Sequence, residues 1–279
     1  MNFKYLGTAA AEGWPSVFCN CECCRKARTL GGKNIRTRSQ ALVNSNLLID
    51  LPCDTYLHML RENLDLSAVE HLLITHSHTD HFYPAELALR GETYAHNMQS
   101  PILNIYCNAA VRDYFYRAIS HELDENIGSS LHFHIVQPYK PFQAGEYLVT
   151  PLPAKHMQTE QALIYLIENG GKSILYAHDT GVFYPDVYDY LAKSAVHLSL
   201  VSLDCTSGGI ENDSANGHMG LPNAAQVKAK LIEIGSASCE TRFIINHFSH
   251  NGGVLHQELC TRAGKIGMEP SYDGMTIEI

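Results

Sequence analysis

The sequence predicts a mixed α/β (α+β) fold, and three observations carry that prediction. Short β-rich runs recur along the 279 residues, at 3–7, 41–50, 71–75, 102–107, 132–136, 147–152, 163–168, 173–177, 198–204, 242–246 and 275–279. Helical patterns stand between some of them. Several of the apolar runs stop at His or Asp, as a buried strand does when it delivers polar groups to a loop. At 108–121, Ala110, Val111, Tyr114, Phe115 and Ala118 recur at helical spacing. Asn169-Gly170-Gly171 is a hairpin turn signal between two strands. At 222–234, Pro222 suits the first helical turn and Gly235 the stop. No linker, repeat or low-complexity segment divides the chain, so it reads as one domain over 1–279.

Composition narrows the function class. At 45% hydrophobic and 18% charged residues, this is an ordinary globular chain. It has no apolar stretch long enough to span a bilayer. Its N-terminus, Met1-Asn2-Phe3-Lys4-Tyr5, starts as a strand without a signal-peptide core, so a cytoplasmic location is expected. In that reducing compartment the nine cysteines favour metal binding over disulfides. The net charge of −9 argues against a broad electrostatic grip on nucleic acid.

The densest chemistry lies in Thr75-His76-Ser77-His78-Thr79-Asp80-His81, directly after the apolar Leu72-Leu73-Ile74. Imidazoles mixed with carboxylate suit zinc, manganese or iron(II) rather than calcium. His76 and His78 can converge on one ion while Asp80 and His81 turn to a second. The bland alternative, a solvated His-rich loop, does not account for further His and Asp residues that end later apolar runs.

The pattern H-x-H-x-D-H resembles the metallo-β-lactamase superfamily. Four more motifs of that superfamily follow the expected order: Asp50 after Leu47-Leu48-Ile49, then His156, Asp179 and His247. The resemblance implies a four-layer αββα sandwich, which periodicity alone does not give. It implies two divalent ions, manganese or zinc. His76, His78 and His156 would hold one, and Asp80, His81 and His247 the other. Asp179 would bridge both. Water between two such ions is acidified and supplies a hydroxide nucleophile. Members with a di-iron oxygen-reducing centre carry Glu where this chain has His78. His178, beside the bridging Asp, is expected to be a surface residue or to lie behind the ligands.

His218, in Gly217-His218-Met219-Gly220, falls between Asp179 and His247. In phosphodiesterase branches of the superfamily, a His in this interval protonates the leaving alcohol. The resemblance therefore implies His218 as general acid, with Asp80 and Asp50 completing the catalytic residues. Residues 85–145, with Tyr94, His96, Tyr114, Tyr116 and His121, are expected to form part of the pocket wall.

Cys19, Cys21 and Cys24 form C-x-C-x-x-C, three thiolates that need a fourth partner to close a structural zinc site. The chain is most similar to the phosphodiesterase accessory to carbon–phosphorus lyase (PhnP-like). In that family a His three residues after the last ligand completes such a site. The matching residue is His250, giving a zinc-clip loop at about 18–26. Cys23 reads as a non-ligand, and Cys53, Cys107, Cys205, Cys239 and Cys260 as small core residues.

These readings make the chain a dinuclear metal-dependent phosphodiesterase for a small or cyclic phosphodiester, with one structural zinc and neither membrane nor nucleic acid as partner. A homodimer is the default assembly. Two alternatives share the fold. The segment 6–15, with the following Cys-Asn-Cys, is similar to the pyrroloquinoline quinone biosynthesis protein B family, which implies iron-dependent oxidation. The site is also similar to tRNA-processing endonucleases, although the 23 residues from His156 to Asp179 leave no room for their tRNA-gripping arm.

Overall fold

The structure, a computed structural model, describes residues 1–121, 125–212 and 217–279. Among the described residues, fourteen strands form two seven-stranded sheets. The first holds β1 (Asn2–Gly7), β2 (Gln40–Val43), β3 (Leu47–Ile49), β4 (His71–Leu73), β5 (Leu103–Cys107), β6 (Leu131–Ile135) and β14 (Thr276–Glu278), in the order β14-β1-β2-β3-β4-β5-β6. The second holds β7 (Phe142–Ala144), β8 (Tyr147–Pro153), β9 (Leu163–Asn169), β10 (Lys172–Ala177), β11 (Leu200–Asp204), β12 (Arg242–Asn246) and β13 (Glu269–Pro270), in the order β13-β12-β11-β10-β9-β8-β7. Both sheets are mixed. Strands β3 to β6 run parallel, as do β10 to β13.

Period-two alternation builds three apolar layers. On β9, Leu163, Tyr165 and Ile167 face the space between the sheets, where they meet Phe3, Tyr5 and Ile49. Ile164 and Leu166 face outward, into a core with residues of helices α1 (Glu22–Leu30), α6 (Pro185–Ser194), α7 (Leu221–Glu233) and α8 (His256–Gly264). The outer face of the first sheet packs Leu48, Leu72 and Ile105 among residues of α3 (Ala85–Ala88), α4 (Ala109–Ala118) and α5 (Glu125–Ser130). Helix α2 (Thr55–Glu62) lies between β3 and β4 in the chain. Two mixed sheets flanked by helices make the αββα sandwich. Among the described residues no helix is long and apolar enough to cross a membrane.

Most strands match the sequence pattern, and the differences have local causes. The run 41–50 is two antiparallel strands, not one, because Asn44 takes a left-handed φ of 50° and reverses the chain. The Asn44 side-chain carbonyl accepts from Asn2 N–H at 2.9 Å, and its amide donates to the Tyr147 hydroxyl at 2.7 Å. The Asn169-Gly170-Gly171 hairpin forms with Gly170 and Gly171 both at positive φ, as a two-residue turn requires. Two expected core cysteines, Cys53 and Cys239, are exposed instead, since each lies in a loop outside the apolar layers.

Candidate metal centre and its cavity

Functional side chains collect where strands end. Asp50 follows β3, Thr75 and His76 follow β4, and His156 follows β8. Asp179 follows β10, Asp204 closes β11 and His247 follows β12. Ligand sites of open α/β sheets lie at such carboxyl ends. Asp50, Asp179 and His247 hold φ of 63°, 54° and 63°, a left-handed conformation that costs a non-glycine residue free energy. Each therefore turns its side chain sharply off its strand.

His76 Nε2 lies 3.0 Å from His78 Nδ1 and 3.1 Å from Asp179 Oδ2. His156 Nε2 lies 3.2 Å from both of those partners. A tetrahedron with such edges has its centre about 2 Å from each corner, the zinc–imidazole distance. The second set shares the same oxygen. His81 Nε2 is 3.3 Å from Asp179 Oδ2, 3.3 Å from Asp80 Oδ2 and 3.2 Å from His247 Nε2. Three nitrogens aimed at one point cannot all be satisfied by each other's protons, whereas a cation satisfies them together. The donor chemistry fits two divalent ions sharing Asp179.

Behind these groups stand residues that fix their orientation. Asp50 Oδ2 is 2.7 Å from His81 Nδ1, and its Oδ1 accepts from the Thr75 N–H at 2.9 Å and hydroxyl at 3.0 Å. It is fully buried and does not line the cavity. Expected as catalytic, Asp50 is instead placed to hold the His81 tautomer. Glu160 Oε1 accepts from Ser77 N–H at 3.0 Å and Ser77 hydroxyl at 2.6 Å, pinning the His76–His78 turn.

Asp204, outside every motif singled out in the sequence, closes β11 beside the centre. Its Oδ1 accepts from Thr206 N–H at 3.0 Å and Met219 N–H at 2.8 Å. Its Oδ2 lies 3.4 Å from His218 Nδ1 and 3.5 Å from His247 Nδ1. One buried carboxylate thus closes the loop that carries His218 and braces His247. The signal was present, because Asp204 ends an apolar strand as Asp50 does. Gly217 permits the loop's approach: a Cβ there would stand 3.0 Å from the His156 carbonyl oxygen. His218 then packs edge-on to His156, ring centroids 5.1 Å apart, with Nδ1 3.0 Å from Asp179 Oδ1.

A cavity of about 460 Å³ opens over the cluster, lined by His78, Asp80, His156, His218 and His247 among others. Its outer wall comes from Ala10–Glu12 on the N-terminal loop and from the loops around 206–212 and 249–251. No described residue of 85–145 lines it, contrary to expectation. Tyr114 packs on Phe82, and Tyr116 on Phe115 and Phe133. His178 is buried rather than on the surface. Its Nε2 lies 2.6 Å from Ser202 Oγ, and its ring lies against Tyr176. Burial holds it well below the usual imidazole range.

Without metal, the carboxylates favour the protonated form of His81, His218 and His247, while burial holds His78 and His156 below the usual imidazole range. Burial pulls His218 down, but Asp179 and Asp204 outweigh it and push it up to about 11. Burial likewise opposes, and Asp179, Asp204 and Asp80 outweigh, a rise of His247 to about 9. A group raised by folding stabilises fully below its unfolded pKa and loses that contribution as pH rises through the folded value. Metal-free protein should therefore lose stability from the ordinary imidazole value of 6.5 up through about 9. Thermal unfolding in chelator checks this, and a midpoint that climbs across that window contradicts it.

Near the N-terminus, Cys19, Cys21 and Cys24 meet His250 from the far end of the chain, one ligand-type atom each within 4.8 Å of one another. His250 Nδ1 lies 3.9 Å from Cys19 Sγ and 3.5 Å from Cys21 Sγ. A zinc tetrahedron of thiolates and imidazole has nitrogen–sulfur edges of about 3.6 Å. The Cys24 N–H donates to Cys21 Sγ at 3.4 Å, and this bond leads the causes that bring the Cys21 thiol down to about 6. Cys23 packs against the outer core instead.

Two mixed sheets with His and Asp clusters at their carboxyl ends define a protein of the metallo-β-lactamase fold with a candidate metal centre. The chain belongs to the beta-lactamase superfamily domain family, whose model matches residues 46–247. It is 29% identical over 164 residues to a ribonuclease Z of Picosynechococcus sp.. That match covers 57% of this chain and 45% of the relative, so this chain aligns with about half of that protein's length. Among solved structures it resembles a diphosphatase of the PhnP family, with TM-score 0.75 and 19% identity over 100% of this chain and 96% of the other. It also resembles zinc-bound PqqB from Methylobacterium extorquens, with TM-score 0.74 and 16% identity over 100% of both chains.

Proposed function

We propose that the protein is a dinuclear metal-dependent phosphodiesterase for small or cyclic phosphodiesters. The observation that carries this reading is His218 on the cavity wall, its Nδ1 held by Asp179 and Asp204 beside both donor sets. Two bound divalent ions, zinc or manganese, would supply an acidified water and neutralise phosphoryl charge. His76, His78, His156 and Asp179 would hold one, and Asp80, His81, His247 and Asp179 the other. His218 would give a proton to the leaving alkoxide, a poor leaving group that needs one. Asp204 would keep the imidazole oriented, as a carboxylate behind a catalytic His does. Hydrolysis of bis(p-nitrophenyl) phosphate by manganese- and zinc-loaded protein tests the reading. No cleavage by protein shown to hold two ions sinks it.

The ribonuclease Z relative favours a second reading, with an RNA phosphodiester as substrate. Against it, β9 and β10 fill the interval from His156 to Asp179 with a tight hairpin, and the chain is acidic. A precursor tRNA in the same assay separates the two.

Cys19, Cys21, Cys24 and His250 would hold a structural zinc. Cys21→Ser is then expected to remove one zinc per chain and lower the unfolding midpoint by about 5 °C or more. Elemental analysis and thermal unfolding read both effects. Unchanged zinc content would refute the clip.

A further inference from the structure

The cavity wall is neutral or acidic where a phosphate-binding enzyme commonly carries arginine or lysine. Among its described lining residues there is no Lys or Arg. Among the described lining residues outside the metal-type set and His218, the one charged side chain is Glu12. The neighbouring basic groups are engaged elsewhere. Arg38 donates to the Ala11 carbonyl at 2.8 Å but pairs with Asp54 at 3.1 Å. Lys155, next to His156, stands 5.7 Å over the Tyr184 ring.

Glu12 is held in place. The Ser249 hydroxyl donates to its Oε1, and His250 Nε2 lies 3.7 Å from the same oxygen. These contacts tie a carboxylate that is 27% exposed to both the cavity and the cysteine cluster. Asn212 and Asn251 add amides to the same wall, while Ile210 adds an apolar patch.

We infer that Glu12 is a specificity-determining residue that selects phosphodiesters whose non-reacting substituent is an uncharged or cationic hydrogen-bond donor, and rejects substituents bearing a second phosphate. This rests on the phosphodiesterase reading. The physical reason is charge. A diester monoanion needs neutralising only at the reacting phosphorus, where the ions would sit. A second phosphate carried outward meets the Glu12 carboxylate with no guanidinium or ammonium among the described lining residues to receive it, and like charges brought together at an interface are disfavoured. A hydroxyl or ammonium there finds an acceptor.

The test uses p-nitrophenyl phosphodiesters that share a leaving group and differ in the other substituent: hydroxyethyl, aminoethyl or phosphonooxyethyl. Metal-loaded wild type is expected to favour the first two over the third by about tenfold or more in kcat/KM, an advantage that shrinks as salt screens it. Glu12→Gln keeps an oxygen to accept from Ser249 and removes the charge, so the advantage should fall severalfold. Equal use of all three, or an unchanged ratio in the variant, overturns the inference. Calorimetric binding of phosphoethanolamine and of ethanediol bisphosphate supplies a readout without turnover. If wild type cleaves no diester yet still prefers phosphoethanolamine in a Glu12-dependent way, the phosphodiesterase reading fails and the charge selection stands. If binding shows no preference, the inference fails whatever the activity.

Discussion

His218→Ala should cut hydrolysis of an alkyl phosphodiester by about 10²–10⁴-fold while leaving the metal content unchanged. His218 lies on the cavity wall, 31% exposed, and belongs to neither of the two donor sets. Removing its ring takes away a proton donor and spares the seven residues proposed as ligands. The loss should depend on the leaving group. A p-nitrophenolate departs with little help, so its hydrolysis should suffer less than that of an alkyl ester. The pH profile should change as well, losing the fall in rate at high pH that marks deprotonation of an acid. His218 and Asp179 also share a third cluster with Asp204 and His247, a set that could itself hold an ion. Metal analysis decides between these roles. A variant that loses a metal ion in step with activity would make His218 a ligand and not an acid.

The strands were legible in the sequence because they rest on local pattern, whereas the grouping of the donors came from the resemblance to the metallo-β-lactamase superfamily. An apolar run that gives way to His or Asp needs no tertiary knowledge to be read, as Leu47-Leu48-Ile49 does at Asp50 and Ile174-Leu175-Tyr176-Ala177 at His178 and Asp179. What stayed hidden depends on contacts distant in the chain. Asp204 ends a strand like the others, but its role arises from Thr206, Met219, His218 and His247 converging on one carboxylate. Glu160 joins the His76–His78 turn from 83 residues away. The wall was misplaced for the same reason. Aromatic residues in 85–145 suggest a pocket, yet Tyr114 and Tyr116 pack on aromatic neighbours, and Ala10–Glu12 close the cavity from the N-terminus. The split of 41–50 turned on one left-handed Asn44, invisible to hydrophobic periodicity.

The largest effect on the centre as a whole is expected from Asp179→Asn. One oxygen of this buried side chain lies 3.1 Å from His76, 3.2 Å from His156 and 3.3 Å from His81, so it belongs to both donor sets. Burial favours its neutral form, but His247 and the other imidazoles outweigh this and hold it well below the usual carboxylate range. It therefore offers a negative charge at neutral pH, which an amide of the same shape does not. Changing residues that merely orient metal ligands commonly costs about 10–100-fold in affinity. Replacing a ligand shared by two ions should cost more than that for each, with hydrolysis falling to background. The metal-free variant should still fold, since the amide retains an oxygen acceptor for the surrounding imidazole N–H groups. Titration with zinc or manganese, followed by elemental analysis, reads the affinities, and circular dichroism checks the fold. A folded variant that keeps one tight ion would confine Asp179 to a single set and overturn the shared-oxygen arrangement. A folded variant that binds neither would make this oxygen the joint on which both sets depend.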